Sequence, residues 1–177
     1  MSYTAAVDHL HALGQELAPN MPRRKFELEH MRVLAAALGD PQRQFCAVLI
    51  AGTNGKGSTA ATLASILTAA GLGTGLYTSP HLTRVTERVR VSSAGGLAEI
   101  EEEEFARLYF QVDEAARGLV AAGKLPHTPS FFEVLTALAF LYFAERKVDV
   151  AVLEVGMGGR LDASYIVEPA VSVITDV

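Results

Sequence analysis

The chain has 177 residues, half of them apolar, which is enough for one ordinary globular core. A net charge of −5 with no basic stripe argues against a nucleic-acid partner, and apolar stretches broken by charges well short of bilayer length argue against a membrane span. A single cysteine, Cys46, excludes an internal disulfide, and the polar N-terminus has no apolar signal core, so a soluble cytoplasmic protein is expected.

In chain order, residues 4–17 and 26–38 read as amphipathic helices, with Phe26, Leu28, Met31, Leu34, Ala35 and Leu38 near helical spacing. APNMPRR joins them as a loop, and Gly39-Asp40-Pro41 stops the second. The rhythm then changes. CAVLIA (46–51) is an unbroken apolar run of strand length, as in a strand buried on both faces. TAATLASILTAAG (59–71) has helical character and ends on Gly71, suited to a left-handed cap. GTGLYTS (73–79) reads as a second strand, so strand, glycine loop, helix and strand imply a βαβ unit and a parallel sheet.

Residues 80–98 look irregular, with a short strand at RVRVS. The acidic run from Glu99 to Glu104 opens a helix reaching about Gly118, and its bland reading is a solvated helix start favoured by the helix dipole. GKLPHTP is a loop. SFFEVLTALAFLYFAERK (130–147) is apolar nearly all round and should be a well-buried helix, with Ser130 and Glu133 at capping-box spacing. DVAVLEVG (149–156) and AVSVITDV (170–177) read as further buried strands. The expected fold is α/β, with a P-loop type, mostly parallel sheet and helices on both faces. The expected organisation is a helical lead-in over residues 1–45 followed by one α/β domain over 46–177. Ending on an apolar strand suggests a fragment of a longer protein.

The stretch AGTNGKGST (51–59) carries the clearest chemistry. Glycine-rich backbone between a strand and a helix N-terminus suits polyphosphate. Gly55 and Gly57 allow close approach, Lys56 offers a point charge to the β/γ-phosphates, and Ser58 or Thr59 a hydroxyl. The common pattern G-x-x-x-x-G-K-[ST] fails twice: Ile50 stands at the first glycine, and Gly57 follows Lys56. In LEVGMGGRLD (153–162), Glu154 is a carboxylate ending an apolar strand, costly there without a partner. It reads as a metal-binding acid beside a phosphate loop, or as one half of a turn paired with Arg160. Gly156, Gly158 and Gly159 leave room for a phosphate-bearing ligand. Ser79-Pro80-His81-Leu82 ends the second strand; on spacing alone it is a Ser-Pro turn with a loop histidine. His9, His11, His30 and His127 show no metal-ligand spacing except His9/His11, read as solvent-facing. Glu133 is read as a helix cap.

Together LGDPQRQF, VLIAGTNGKGST, YTSPHL with ERVRV, SFFEVLTALAF and VDVAVLEVGMGGRLDA resemble the N-terminal ATPase part of the folylpolyglutamate synthase/dihydrofolate synthase family, in the Mur-ligase superfamily. The glycine loop points to the superfamily, and SPHL and EVGMGGRLDA narrow it to the folate branch. The resemblance implies an ATP-dependent ligase that joins L-glutamate to dihydropteroate or folate through an acyl phosphate, monomeric when full length. The alternatives are a P-loop phosphotransferase or a non-ligating nucleotide-binding module. By this similarity Gly52, Thr53, Asn54, Gly55, Lys56, Gly57, Ser58 and Thr59 form the ATP loop, with Lys56 catalytic, and Ser79 and Glu154 match the family's Mg²⁺-binding Ser and Glu. The stretch from Pro80 to Arg88 resembles the loop beside the folate site. The family's R-L-D-A-T-N is here Arg160-Leu161-Asp162-Ala163-Ser164-Tyr165, so Tyr165 replaces an amide with a bulky ring. The resemblance also implies an Asp-His pair, a carbamylated lysine and a glutamate-binding domain further along a longer chain.

Overall fold

The computed structural model describes residues 2–14, 28–156 and 162–176. The joint APNMPRR, the ends of the first two expected helices toward it (15–17, 26 and 27), and Gly158, Gly159 and Arg160 lie outside the described residues.

Among the described residues six strands form one sheet: β1 (Cys46–Ala51), β2 (Thr74–Tyr77), β3 (Val89–Ser93), β4 (Gly96–Glu99), β5 (Val150–Glu154) and β6 (Pro169–Ile174), in the order β4-β3-β2-β5-β1-β6. The pairs β2·β5, β5·β1 and β1·β6 are parallel; β2·β3 and β3·β4 are antiparallel. The register Ile50↔Glu154 and Tyr77↔Leu153 brings the C-terminal ends of β1, β5 and β2 to one edge. In an open α/β sheet that edge is where ligands bind.

Helices cover both faces, as expected. On one side lie α1 (Tyr3–Ala12), α2 (Leu28–Ala37), α4 (Glu102–Ala121) and α5 (Phe131–Glu145), sharing a core with Leu49, Tyr77, Ala151 and Leu153. On the other lies α3 (Lys56–Ala69), against Val48, Ile50, Leu76 and Val152. Successive strand residues thus feed opposite cores, as the period of two requires. Every residue of α5 from Phe131 to Phe143 is buried, and Ser130 and Glu133 close the capping box: the Glu133 amide donates to Ser130 Oγ, the Ser130 amide to Glu133 Oε2. Gly75 on β2 shows how closely α5 sits: a Cβ there would come within 2.8 Å of the Phe143 ring. Gly71 follows α3 with φ +85, the left-handed conformation expected of it.

Three expectations need correction. Residues 94–98 are not irregular: Gly96, at φ +118, turns the chain into β4, which makes a hairpin with β3. Glu99 therefore ends a strand, paired with Arg84, and α4 starts only at Glu102. The strand β6 is not buried. Among the described residues it pairs with β1 alone, at the sheet edge, and is mostly exposed, with Val171 52% and Ile174 70% accessible. Its apolar composition made it look like an interior strand, but composition does not show whether a helix covers it.

Candidate phosphate and cation site

The glycine loop is shorter than its sequence suggests. Gly55 is the helix N-cap at φ +78, and Lys56, Gly57 and Ser58 already form the first turn of α3. A glycine serves here because a Cβ disfavours the left-handed region. The Lys56 ammonium donates to Thr53 O at 3.3 Å, folded over its own loop, and Ser58 Oγ donates to Gly55 O at 3.0 Å. The Thr59 amide already donates to Gly55 O within the helix. Four amides, Gly55 to Ser58, thus open the helix, where free N–H groups and the dipole favour an anion.

Thr53 and Asn54 are placed differently. Both amides donate to Asp176 O, at 2.7 and 3.3 Å, just past β6. The Thr175 amide donates to Ala51 O at 2.8 Å, and its hydroxyl reaches Asn54 O at 2.7 Å. Gly52, at φ +133, leaves room for this: a Cβ would overlap Thr175 Oγ1 and lie 3.1 Å from both Thr175 N and Asp176 O. The first half of the loop is therefore fastened to the end of β6, and only the second half presents its amides. Sequence reading missed Thr175 and Asp176 because they lie more than a hundred residues from the loop and carry no motif of their own.

Glu154 ends the central strand β5 and is 5% exposed. Ser79 follows β2 by two residues, and its amide donates to Glu154 Oε2 at 3.0 Å. Their strands are neighbours, so adjacency in the sheet joins residues far apart in sequence. The Glu154 carboxylate also lies against Gly57, where a Cβ would stand 3.4 and 3.5 Å from its two oxygens. This gives the second departure from the common pattern a physical reason. A glycine after Lys56 leaves the face of the Glu154 carboxylate toward the loop open. Loop, carboxylate and Ser79 thus meet at one sheet edge.

A carboxylate and a hydroxyl are hard oxygen donors, the kind Mg²⁺ takes, and that ion is commonly held by one or two carboxylates with substrate phosphates and water completing the shell. Among the described residues, no group of three or more His, Cys, Asp or Glu side chains gathers around Glu154 or elsewhere. Glu154 and Ser79 beside a phosphate loop fit a cation shared with a polyphosphate.

Past Glu154, the buried Asp162 fastens the returning chain. Its Oδ2 accepts the Gly156 amide at 2.9 Å, and its Oδ1 accepts the Ser164 amide at 2.9 Å and the Ser164 hydroxyl. Tyr165 packs, partly buried, against the core on the α5 side. The ring therefore has a packing role that its sequence position did not suggest. His9 and His11 are exposed as expected, though His11 stacks on Phe131 and His9 meets the edges of Tyr109 and Phe110.

No protein-family model matches the chain. Folylpolyglutamate synthase of Lacticaseibacillus casei is 38% identical over 181 residues, spanning 100% of this chain and 39% of that protein. The chain belongs to the folylpolyglutamate synthase/dihydrofolate synthase family. The dihydrofolate synthase/folylpolyglutamate synthase of Escherichia coli is 42% identical over 150 residues, covering 85% of this chain and 33% of that protein. A solved folylpolyglutamate synthase in complex with AMPPCP and folate superposes with a TM-score of 0.87 at 37% identity, over 100% of this chain and 40% of that one. The chain therefore spans about two fifths or less of the length of these relatives.

Proposed function

We propose that the full-length protein is an ATP-dependent ligase that forms an amide between L-glutamate and the carboxylate of dihydropteroate or a folate. The observation that carries this reading is the meeting of the Gly55–Ser58 amides, Lys56 and the Glu154–Ser79 pair at one sheet edge. The solved folylpolyglutamate synthase that holds AMPPCP and folate supports the same assignment.

The four amides and the Lys56 ammonium hold the β- and γ-phosphates. Lys56 must leave Thr53 O to do so, a change of one weak surface hydrogen bond for a charge-assisted one. Glu154 and the Ser79 hydroxyl would hold Mg²⁺, which when bound neutralises phosphate charge. A carboxylate oxygen of the pterin substrate attacks the γ-phosphorus, the bond to the β,γ-bridging oxygen breaks, and ADP leaves. The deprotonated glutamate amine then attacks the acyl carbon, inorganic phosphate leaves, and the nitrogen loses a proton to form the amide. The protein's work is to position groups and balance charge. Within this reading residues 46–177 are the ATP-binding unit and 1–45 a helical lead-in, and the enzyme is a cytoplasmic monomer. One cysteine and the absence, among the described residues, of a helix long and apolar enough to cross a membrane fit that setting.

The test is phosphate release by the full-length protein given ATP, Mg²⁺, dihydropteroate or folate, and L-glutamate. Release that requires both the pterin acid and glutamate, with amide product by mass, is expected. Release without an amine acceptor would instead favour a phosphotransferase, and no turnover a non-ligating module.

A further inference from the structure

The connection from Pro80 to Arg88 is held by two adjacent residues at its far end. The Glu87 carboxylate accepts three successive main-chain amides: Leu82 on Oε2 at 2.9 Å, and Thr83 and Arg84 on Oε1 at 2.9 and 2.8 Å. Such a run of converging N–H groups is an anion-binding concavity, here filled by the chain's own side chain. Those amides, Leu82 and Arg84 foremost, hold the carboxyl near a pKa of about 2. The next residue, Arg88, is 3% exposed; its Nε–H donates to His81 Nδ1 at 2.8 Å, and its guanidinium lies 5.2 Å over the Phe131 ring. Arginine can only donate, so Nδ1 must accept, and the ring is fixed in one tautomer at that nitrogen. Arg84 and Thr86 Oγ1 also donate to Glu99 Oε2, at 3.1 and 2.9 Å, tying the connection to the β3–β4 hairpin. At its near end the same connection leaves from Ser79, whose amide is on Glu154.

We propose that Glu87 is a positioning residue for the Ser79–Glu154 site: by gathering the amides of residues 82–84 it sets the shape of the connection and so holds Ser79 against Glu154. The inference rests on the reading of Ser79 and Glu154 as the Mg²⁺-holding pair. Glu87→Gln keeps the size of the side chain but turns an NH₂ group toward an amide donor, so one acceptor must serve three donors. Glu87→Asp keeps the charge with a shorter reach.

In the full-length protein, amide exchange at Leu82, Thr83 and Arg84 and calorimetric binding of AMPPCP with and without Mg²⁺ test this. Glu87→Gln is expected to speed exchange at all three amides and to weaken AMPPCP binding in Mg²⁺ by about tenfold, with binding in its absence unchanged. Glu87→Asp should fall between the two in both measurements. Faster exchange with a full Mg²⁺-dependent gain would overturn the positioning role and leave the site assignment standing, as would unchanged exchange. A wild-type protein with no Mg²⁺-dependent gain would overturn the site assignment itself, and the inference with it.

Discussion

Gly52→Ala isolates the fastening of the glycine loop to β6. Alanine at φ +133 is strained by about 1–3 kcal/mol. The added methyl also overlaps Thr175 Oγ1, so that hydroxyl must rotate off Asn54 O, where it now donates at 2.7 Å, at a cost of about 1 kcal/mol. The sum is about 2–4 kcal/mol, large for a change of one methyl group. The backbone contacts at 3.1 Å, to Thr175 N and Asp176 O, leave little room to escape by a small shift. Urea unfolding of the full-length protein would read the loss, and calorimetry with AMPPCP would show affinity falling as the loop is displaced. The double variant Gly52→Ala/Thr175→Ala removes the overlap but loses the same hydroxyl bond and keeps the backbone strain, so it should stay within about 0.5 kcal/mol of the single variant. A single variant within about 0.5 kcal/mol of wild type, with unchanged AMPPCP affinity, would refute the reasoning.

Other changes probe separate parts of the molecule. Lys56→Ala should leave unfolding within about 0.5 kcal/mol of wild type, because the ammonium is at the surface, yet weaken AMPPCP about 10–100-fold by calorimetry. Glu154→Gln preserves an acceptor for the Ser79 amide and removes the charge; thermal melting should be little changed while Mg²⁺-dependent turnover falls about a hundredfold. Gly75→Ala drives a methyl to 2.8 Å from the buried Phe143 ring and should cost about 1–3 kcal/mol in a thermal melt. The Glu87 carboxyl titrates lower in the folded chain, at about 2, than its ordinary 4.5. Its contribution is therefore complete above pH 4.5 and lost as the pH falls toward 2, so the amide resonances of Leu82, Thr83 and Arg84 should move together across that window.

The elements that sequence reveals best are those whose burial is uniform or strictly periodic. CAVLIA gave its strand to the residue, and the apolar run after Ser130 its helix and cap, because each has an unbroken buried stretch, Ala47–Ile50 and Phe131–Phe143. β4 was hidden because a short strand at a sheet margin, with every residue at least partly exposed, carries little apolar signal. β6 misled in the opposite direction, having the composition of an interior strand at an exposed edge. In the site, local backbone chemistry made the Gly55–Ser58 turn readable, and a carboxylate at the end of an apolar strand singled out Glu154. The clamp by Thr175 and Asp176 and the amide cluster on Glu87 were not readable. Both depend on main-chain groups, which every residue carries and no motif records.

The bond between the loop and the end of β6 also has a bearing on assembly. Thr53 and Asn54 take their shape from a carbonyl 122 residues or more along the chain. Closing so long a span before its contacts repay the lost chain freedom is slow and comes late. The glycine turn can coil locally from its own sequence, yet its first half is fastened only when β6 has joined β1. A nucleotide that selects the locked turn therefore also favours the docked strand, by the same free energy in both directions. In the proposed function, ATP binding at this loop is thus coupled to docking of β6, and undocking that strand should weaken nucleotide binding with every loop residue unchanged.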